Sequence, residues 1–387
     1  MGEWKETTLT ALCTDISYGY TESAKLEKVG PKFLRITDIA NGRINWGNVP
    51  FCPISESDFN KYKLLPGDIV IARTGATTGA NYTIKKGDPS YLVFASYLIR
   101  YKIDRTKAEP SFIGQLLRSA NWQDYVDAIA GGSAQPGANA KQLGSFEILL
   151  PEIPEQTAIA SVLSSLDDKI DLLHRQNATL EKMAETLFRQ WFVEEAKEEW
   201  ANRPLSSIAV FLNGLACQKF PPKNELEKLP VLKIKELSEG ITDNSDFATT
   251  DVKSEYIIMN GDVIFAWSAS LMVKIWDGQD CILNQHLFKV TSKDYPKWFY
   301  FLWCKFHLSE FISIAASHAT TMGHIKRRDL NEAMVSVPSL VEMSEMTLII
   351  EPLIDKLIVN NKQINLLVSY RDNLLKKLMS GDVKVAI

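Results

Sequence analysis

The residues best suited by type and spacing to do chemistry lie in "LLPGDIVIARTGATTGANY", Leu64 to Tyr82. There two glycines bracket small hydroxyl residues just after an apolar run. A loop that cradles phosphate has this look, because backbone N–H groups must approach the anion closely. A Walker-type loop, G-x-x-x-x-G-K-[ST], also needs a lysine to reach the phosphates, and here Ala80 and Asn81 follow the second glycine. A related stretch, "MNGDVIFAWSAS" (Met259 to Ser270), keeps the apolar run but has no glycine at Ala269. A nucleotide site does not drop its glycines in a second copy, whereas a turn with variable tip residues does. The stretch therefore reads as a structural turn that places a polar edge.

Other catalytic signatures are broken. The one Pro-Pro, in "FPPK" (Phe220 to Lys223), lacks both flanks of an adenine-methylating [DN]-P-P-[FYW] element. No G-x-G-x-x-G follows a strand, and the E-x-K at Glu195 to Lys197 is far from either Gly-Asp pair, Gly67-Asp68 or Gly261-Asp262. The five histidines form no H-E-x-x-H, and the five cysteines (Cys13, Cys52, Cys217, Cys281, Cys304) form no C-x-x-C. Neither a catalytic residue nor a metal ligand is expected, and the thiols read as reduced and buried in a cytoplasmic protein.

What remains is suited to recognition. Arginine reads guanine edges, Asn and Gln read adenine, and Ser, Thr and Lys hold phosphates. In the first half the candidates are Arg73, Thr74, Thr77, Thr78 and Asn81 in the turn. Ser133, Gln135, Asn139 and Lys141 follow in the loop "GGSAQPGANAKQ". In the second half they are Trp267, Ser268, Ser270 and Lys274, then His318, Thr320, Thr321, His324, Lys326 and Arg327 in "SHATTMGHIKRR".

The elements that must hold these residues occur twice. "FLRITDIANGRI" (Phe33 to Ile44) matches "VLKIKELSEGIT" (Val231 to Thr242), and "LGSFEILLPEI" (Leu143 to Ile153) matches "LNEAMVSVPSL" (Leu330 to Leu340). "LDDKIDLLHRQNATL" (Leu166 to Leu180) matches "LIDKLIVNNKQINLL" (Leu353 to Leu367), in the same order. Short β-branched runs such as "DIVIAR", "YLVFASYLI" and "DVIFAW" predict strands. "PSFIGQLLRSANWQDYVDAI" and "PKWFYFLWCKFHLSEFISIA" predict helices with apolar faces. The fold class is α+β, two similar mixed domains at 1–152 and 198–339, each followed by a long helix at 153–197 and 340–387.

The long helices carry a 3.5-residue seam. In the first it runs through Ile159, Leu163, Leu166, Ile170, Leu173, Asn177, Leu180 and Leu187, and in the second through Leu353, Leu357, Asn360, Ile364, Leu367, Leu374 and Leu378. The asparagines weaken the seam and can fix its register. Pro154 suits a helix start, "SGD" at Ser380 to Asp382 a helix end, and Pro352 is expected to kink the second helix or mark its beginning.

At 387 residues, 45% hydrophobic and 23% charged, the chain reads as globular with more than one core. No apolar run approaches a membrane span, and the N-terminus does not read as a secretory signal. A net charge of −4 argues against a charge-driven binder of nucleic acid acting alone, and leaves room for a subunit whose partners supply positive charge.

Taken together, "LPGDIVIARTGATTG", "LLPEIPEQTAIASVLSSLDDKIDLL", "LEKMAETLFRQWFVE" and the closing "YRDNLLKKLMSGDV" resemble the specificity subunit of type I restriction–modification enzymes over nearly the whole chain. The resemblance implies two target recognition domains, each reading one half of a split target in double-stranded DNA. It implies an antiparallel coiled coil that sets the spacing, with an internal pseudo-twofold repeat. Two methylation subunits carrying S-adenosylmethionine would dock on the helices, and restriction subunits using ATP and Mg would join them. This chain itself would hold no cofactor and contact no membrane. The second repeat departs from the pattern, with "PSLVEMSEM" in place of "PEIPEQ" and "AWSAS" in place of "ARTGATTG". Two other readings remain: a stand-alone DNA-modifying or DNA-cleaving enzyme, and a coiled-coil scaffold without a DNA role.

Overall fold

The computed structural model describes residues 4–40, 42–131, 137–242, 244–317, 323–379, 383 and 385. The chain divides into two units. Met1–Asp171 with Leu367–Ile387 form the first, and Leu172–Leu366 the second.

In unit 1 the strands are β1 (Lys5–Thr8), β2 (Cys13–Tyr18), β3 (Lys32–Leu34), β4 (Asp68–Ala72), β5 (Asn81–Thr83), β6 (Leu92–Phe94), β7 (Leu98–Ile103) and β8 (Glu147–Leu150). The helices are α1 (Ile36–Ile39), α2 (Glu56–Tyr62), α3 (Pro110–Leu116), α4 (Ala120–Ala130), α5 (Ala140–Gly144) and the start of α6 (Ile153–Arg189). An antiparallel sheet runs β2-β7-β4-β5, β3 and β6 pair in parallel, and β1 pairs with β8. Every residue of β4 is buried. Ile69 and Ile71 point into a core with Phe112 and Trp122, while Val70 and Ala72 point into another with Leu34 and Phe94. A strand covered on both faces has no reason to alternate, which is why "DIVIA" is a continuous apolar run.

Unit 2 repeats this plan. Its strands are β9 (Ala201–Pro204), β10 (Val210–Asn213), β11 (Lys228–Leu232), β12 (Phe247–Thr249), β13 (Ile257–Ile258), β14 (Val263–Ala266), β15 (Met272–Ile275), β16 (Cys281–Leu283), β17 (Leu287–Thr291) and β18 (Met334–Val337). Its helices are α7 (Leu205–Ile208), α8 (Ile234–Glu239), α9 (Lys297–Phe306), α10 (Leu308–Ser317), α11 (Arg327–Glu332) and, for the most part, α12 (Leu340–Met379). The order β10-β17-β14-β15 mirrors β2-β7-β4-β5, the parallel pair β11-β16 mirrors β3-β6, and β9-β18 mirrors β1-β8. Again β14 is buried throughout, with Val263 and Phe265 in one core and Ile264 and Ala266 in the other.

The predicted seam is present, and each of its residues is buried or half-buried. In unit 1, Ile159 and Leu163 of α6 pack with Leu375 and Leu378 of α12. Beside them the Asp167 carboxylate accepts hydrogen bonds from Gln115 Nε2 (2.7 Å), Arg118 (2.8 Å) and Arg371 (2.9 Å). Burial pushes this carboxyl up, but Arg118, Gln115 and Arg371 outweigh it and hold the group below the usual range. In unit 2 the helices run antiparallel, and Phe188 and Phe192 share a core with Ile350 and Ile354. Asn360 Nδ2 donates to Asn177 Oδ1 at 2.9 Å, and Asn177 Nδ2 donates to Asn361 Oδ1.

Three sequence expectations change. "YLVFASYLI" is two strands, because the chain turns at Ala95–Leu98, where Leu98 N–H donates to Ala95 O (2.9 Å). Each predicted helix after the sheet is a helix pair. In unit 1 Ser119 breaks it by capping α4, its hydroxyl accepting from Trp122 N–H. Pro352 does not mark the beginning of α12 but lies inside it, the helix starting at Leu340 behind a Ser339–Glu342 capping box. Leu348, whose carbonyl Pro352 cannot serve, is 79% exposed, so water can satisfy it. The expected end at Ser380 to Asp382 lies outside the described residues.

Candidate nucleic-acid interface

The glycine-hydroxyl turn is closed on itself. Thr78 N–H donates to Gly75 O (3.0 Å), Gly79 N–H to Ala72 O (2.8 Å) and Ala80 N–H to Thr77 O (3.0 Å). Three of the turn's amides, which an anion would compete for, are thus already used. Gly75 and Gly79 have φ of +84° and +88°. At Gly79 a Cβ would also lie 2.8 Å from the Val126 methyls of α4. Thr78 donates its hydroxyl to Gly75 O (2.7 Å). Asn81 is buried and donates its amide to Leu117 O and Gly79 O. Among the candidates, Thr78 and Asn81 are therefore supports that hold the turn and do not face solvent.

The turn places Arg73 and Thr74 on a rim with side chains from two other strand ends. Arg73 N–H donates to Tyr97 O (3.1 Å), Ala138 N–H donates to Arg73 O (2.9 Å), and Thr74 bridges to Gly137. The Arg73 guanidinium lies 5.2 Å from the centroid of the Tyr18 ring, and its Nε is buried without a hydrogen-bond partner. Tyr18 and Tyr97 are 42% and 56% exposed. Thr77 is half-buried in the turn. Asn139 caps α5 by accepting from Gln142 N–H (2.9 Å), and Lys141 is exposed on that helix.

Unit 2 builds the same rim. Trp267 N–H donates to His286 O (3.4 Å), Ile325 N–H donates to Trp267 O (3.0 Å), and Ser268 bridges to His324. The indole Nε1 donates to Asn213 Oδ1 (3.1 Å) and the ring stacks near Phe288, with His324 edge-on. Ser268 Oγ sits 3.2 Å from His286 Nδ1, and Gln285 Nε2 lies 3.4 Å from His286 Nε2. Ser270 is exposed at the tip. Lys274 stands on β15, paired with Asp277 (3.0 Å), away from the rim. Lys326 and Arg327 are exposed at the start of α11, whereas Arg328 pairs with Glu332 (2.6 Å). Ser133, Gln135, His318, Thr320 and Thr321 lie outside the described residues.

Tyr18, Ser96, Tyr97, Asn213, Gln285 and His286 were missed from sequence. The signal was available: "VFASYLIRYKI" (Val93 to Ile103) aligns with "ILNQHLFKVTS" (Ile282 to Ser292), and the polar pair in the middle is where the strand breaks. The cysteines are free, all but half-buried Cys13 are buried, and burial pushes the Cys13 thiol up to about 12, which disfavours its thiolate. Among the described residues no group of three His, Cys, Asp or Glu is placed to hold a metal ion, and no helix is long and apolar enough to cross a membrane.

Two copies of one mixed domain, each offering a polar and aromatic rim on a fixed backbone, define a recognition protein. The family model for the type I restriction modification DNA specificity domain matches residues 1–182 and 197–368, and the chain belongs to that family. It is 28% identical over 301 residues to the type I restriction enzyme MjaIX specificity subunit of Methanocaldococcus jannaschii, covering 71% of this chain and 69% of the relative. It is 22% identical over 405 residues to the putative MjaX specificity subunit of the same organism, covering 99% and 94%. The crystal structure of the type I restriction–modification S subunit from M. genitalium has the same fold. It shares 14% identity over 97% of this chain and 96% of that one, with a TM-score of 0.59.

Proposed function

We propose that this chain is the non-catalytic subunit that selects the DNA target of a type I restriction–modification complex, each unit reading one half of a bipartite duplex sequence. The observation that carries this is the repeated rim, one backbone arrangement bearing different side chains in the two units. The long helices are the element that sets the spacing between the half-targets and docks two methylation subunits. In unit 2 the outward faces of these helices support docking. Val341, Leu348, Val359 and Leu366 of α12 are 69%, 79%, 54% and 72% exposed. Ala178, Met183 and Leu187 of α6 line an open groove of about 620 Å³. Apolar side chains in such runs mark an interface more often than a free surface. S-adenosylmethionine belongs to the methylation subunits, and ATP and Mg to the restriction subunits that complete the complex.

The test is to map methylated adenines in DNA exposed to the chain assembled with its methylation partner. A split motif with a constant spacer is expected. Replacing residues 1–150 by the first domain of another family member should change one half of that motif and leave the other intact. Methylation or cleavage by the purified chain alone, given S-adenosylmethionine or magnesium, would instead make it an enzyme.

A further inference from the structure

This inference rests on the reading of two half-targets and concerns which side chains tell them apart. The backbone of the two rims is held by the same hydrogen bonds. Gly19 N–H donates to Leu98 O (3.2 Å) and Gly214 N–H to Leu287 O (3.1 Å). Ser96 N–H donates to Tyr20 O (2.9 Å) and Gln285 N–H to Leu215 O (2.8 Å). A Cβ on Gly19 or Gly214 would lie 2.2 or 2.3 Å from the carbonyl oxygen of Ala95 or Asn284, so both crossings require glycine. These bonds pair Tyr18 with Asn213, Arg73 with Trp267, Thr74 with Ser268, Ser96 with Gln285, and Tyr97 with His286.

In the cores the equivalent positions stay apolar, as Ile69 and Val263, Ile71 and Phe265, or Leu98 and Leu287 do. On the rim, four of the five pairs change chemical class while the backbone stays fixed. Packing explains only part of this: Trp267 packs against the unit 2 core and Tyr18 Oη accepts from Ala140 N–H (3.1 Å), but Tyr18, Tyr97 and Asn213 are exposed, and Arg73, Ser96, Gln285 and His286 half-exposed. A site that reads bases needs a rigid backbone with interchangeable side chains. We propose that the positions Tyr18/Asn213, Arg73/Trp267, Ser96/Gln285 and Tyr97/His286 determine the bases each unit accepts. The hydroxyl kept at Thr74/Ser268 supports the rim instead: Ser268 is buried, with its Oγ 3.2 Å from His286 Nδ1. Arg73 makes no ion pair among the described residues. It rests over the Tyr18 ring, and its guanidinium is suited to the O6/N7 edge of guanine.

The experiment selects from a random-sequence duplex library with the full chain assembled with its methylation partner. Wild type should recover two half-motifs. Arg73→Ala should relax discrimination at one position of one half by about tenfold or more and leave the other half unchanged. Exchanging the four unit 2 side chains (Asn213→Tyr, Trp267→Arg, Gln285→Ser, His286→Tyr) should change the second half-motif and leave the first. Should that variant melt early, the single changes Gln285→Ser and His286→Tyr carry the same expectation. Lys326→Ala, off the rim, should weaken binding to all sequences alike. An unchanged motif in exchanged or single variants that still bind DNA overturns the proposal. A wild-type complex that recovers no split motif overturns the underlying function instead, so the two failures are distinguishable.

Discussion

At the scale of residues, the two turns compare one backbone conformation with and without glycine. Gly75 has φ +84°, and Ala269, its counterpart, keeps φ at +55°. A side chain in that region costs about 1–2 kcal/mol. Glycine would relieve this and add chain entropy to the unfolded state, so Ala269→Gly should stabilise unit 2 by about 0.5–1 kcal/mol net. Gly75→Ala should cost about 1 kcal/mol through φ alone, since nothing lies within 4 Å of the added carbon. Gly79→Ala should cost more, because its Cβ also meets Val126 at 2.8 Å. Urea unfolding of the three variants measures the order, and a destabilised Ala269→Gly would remove the strain argument. The structural character of the turn was legible from its loss of glycine in the second copy. That Ala269 holds the same positive φ was not, because dihedral angles leave no mark on composition.

At the scale of elements, the start of α12 is held by one carboxylate. Lys197 (2.5 Å), Ser339 and Trp200 Nε1 (3.0 Å) all donate to Glu342. These bonds, that of Lys197 foremost, lower its pKa from the ordinary 4.5 to about 2. A depressed carboxylate contributes stability that is full above its unfolded pKa and disappears as pH falls through the folded one. The melting-temperature gap between wild type and Glu342→Gln should thus be constant above about pH 5 and close between pH 4.5 and 2. Trp200 fluorescence reports the same window, and a gap that stays open at pH 2 would remove Glu342 as its source. In the first repeat Gln156 has a related task, accepting from Glu109 N–H (2.8 Å) and donating to Pro151 O (2.8 Å). Elements of this kind are readable in sequence where their signal is local, as the 3.5-residue seam is. The rim is not, because it joins ends of β2, β4 and β7 that lie tens of residues apart. The break in "YLVFASYLI" was hidden because apolar residues flank it on both sides.

At the scale of the whole molecule, the question is electrostatic. The chain carries a net charge of −4, and its proposed ligand is a dense polyanion. Part of its positive charge is already engaged, in Arg371 and Arg118 on Asp167, Lys85 on Asp168 and Asp171, and Lys305 on Glu181 and Glu185. Lys141, Lys326 and Arg327 are among the exposed cations near the rims. Each phosphate neutralised adds about 0.9 to the slope of log affinity against log salt. The lone chain, net acidic, should bind duplex DNA weakly, with a shallow salt slope. If methylation subunits dock on Ile159 to Phe192 and Leu353 to Met379 and bring phosphate contacts of their own, as proposed, affinity and slope should rise together. Titrations across a salt series, with and without the partner, separate the two contributions. Nanomolar, steeply salt-dependent binding by the chain alone would mean that the phosphate contacts are its own.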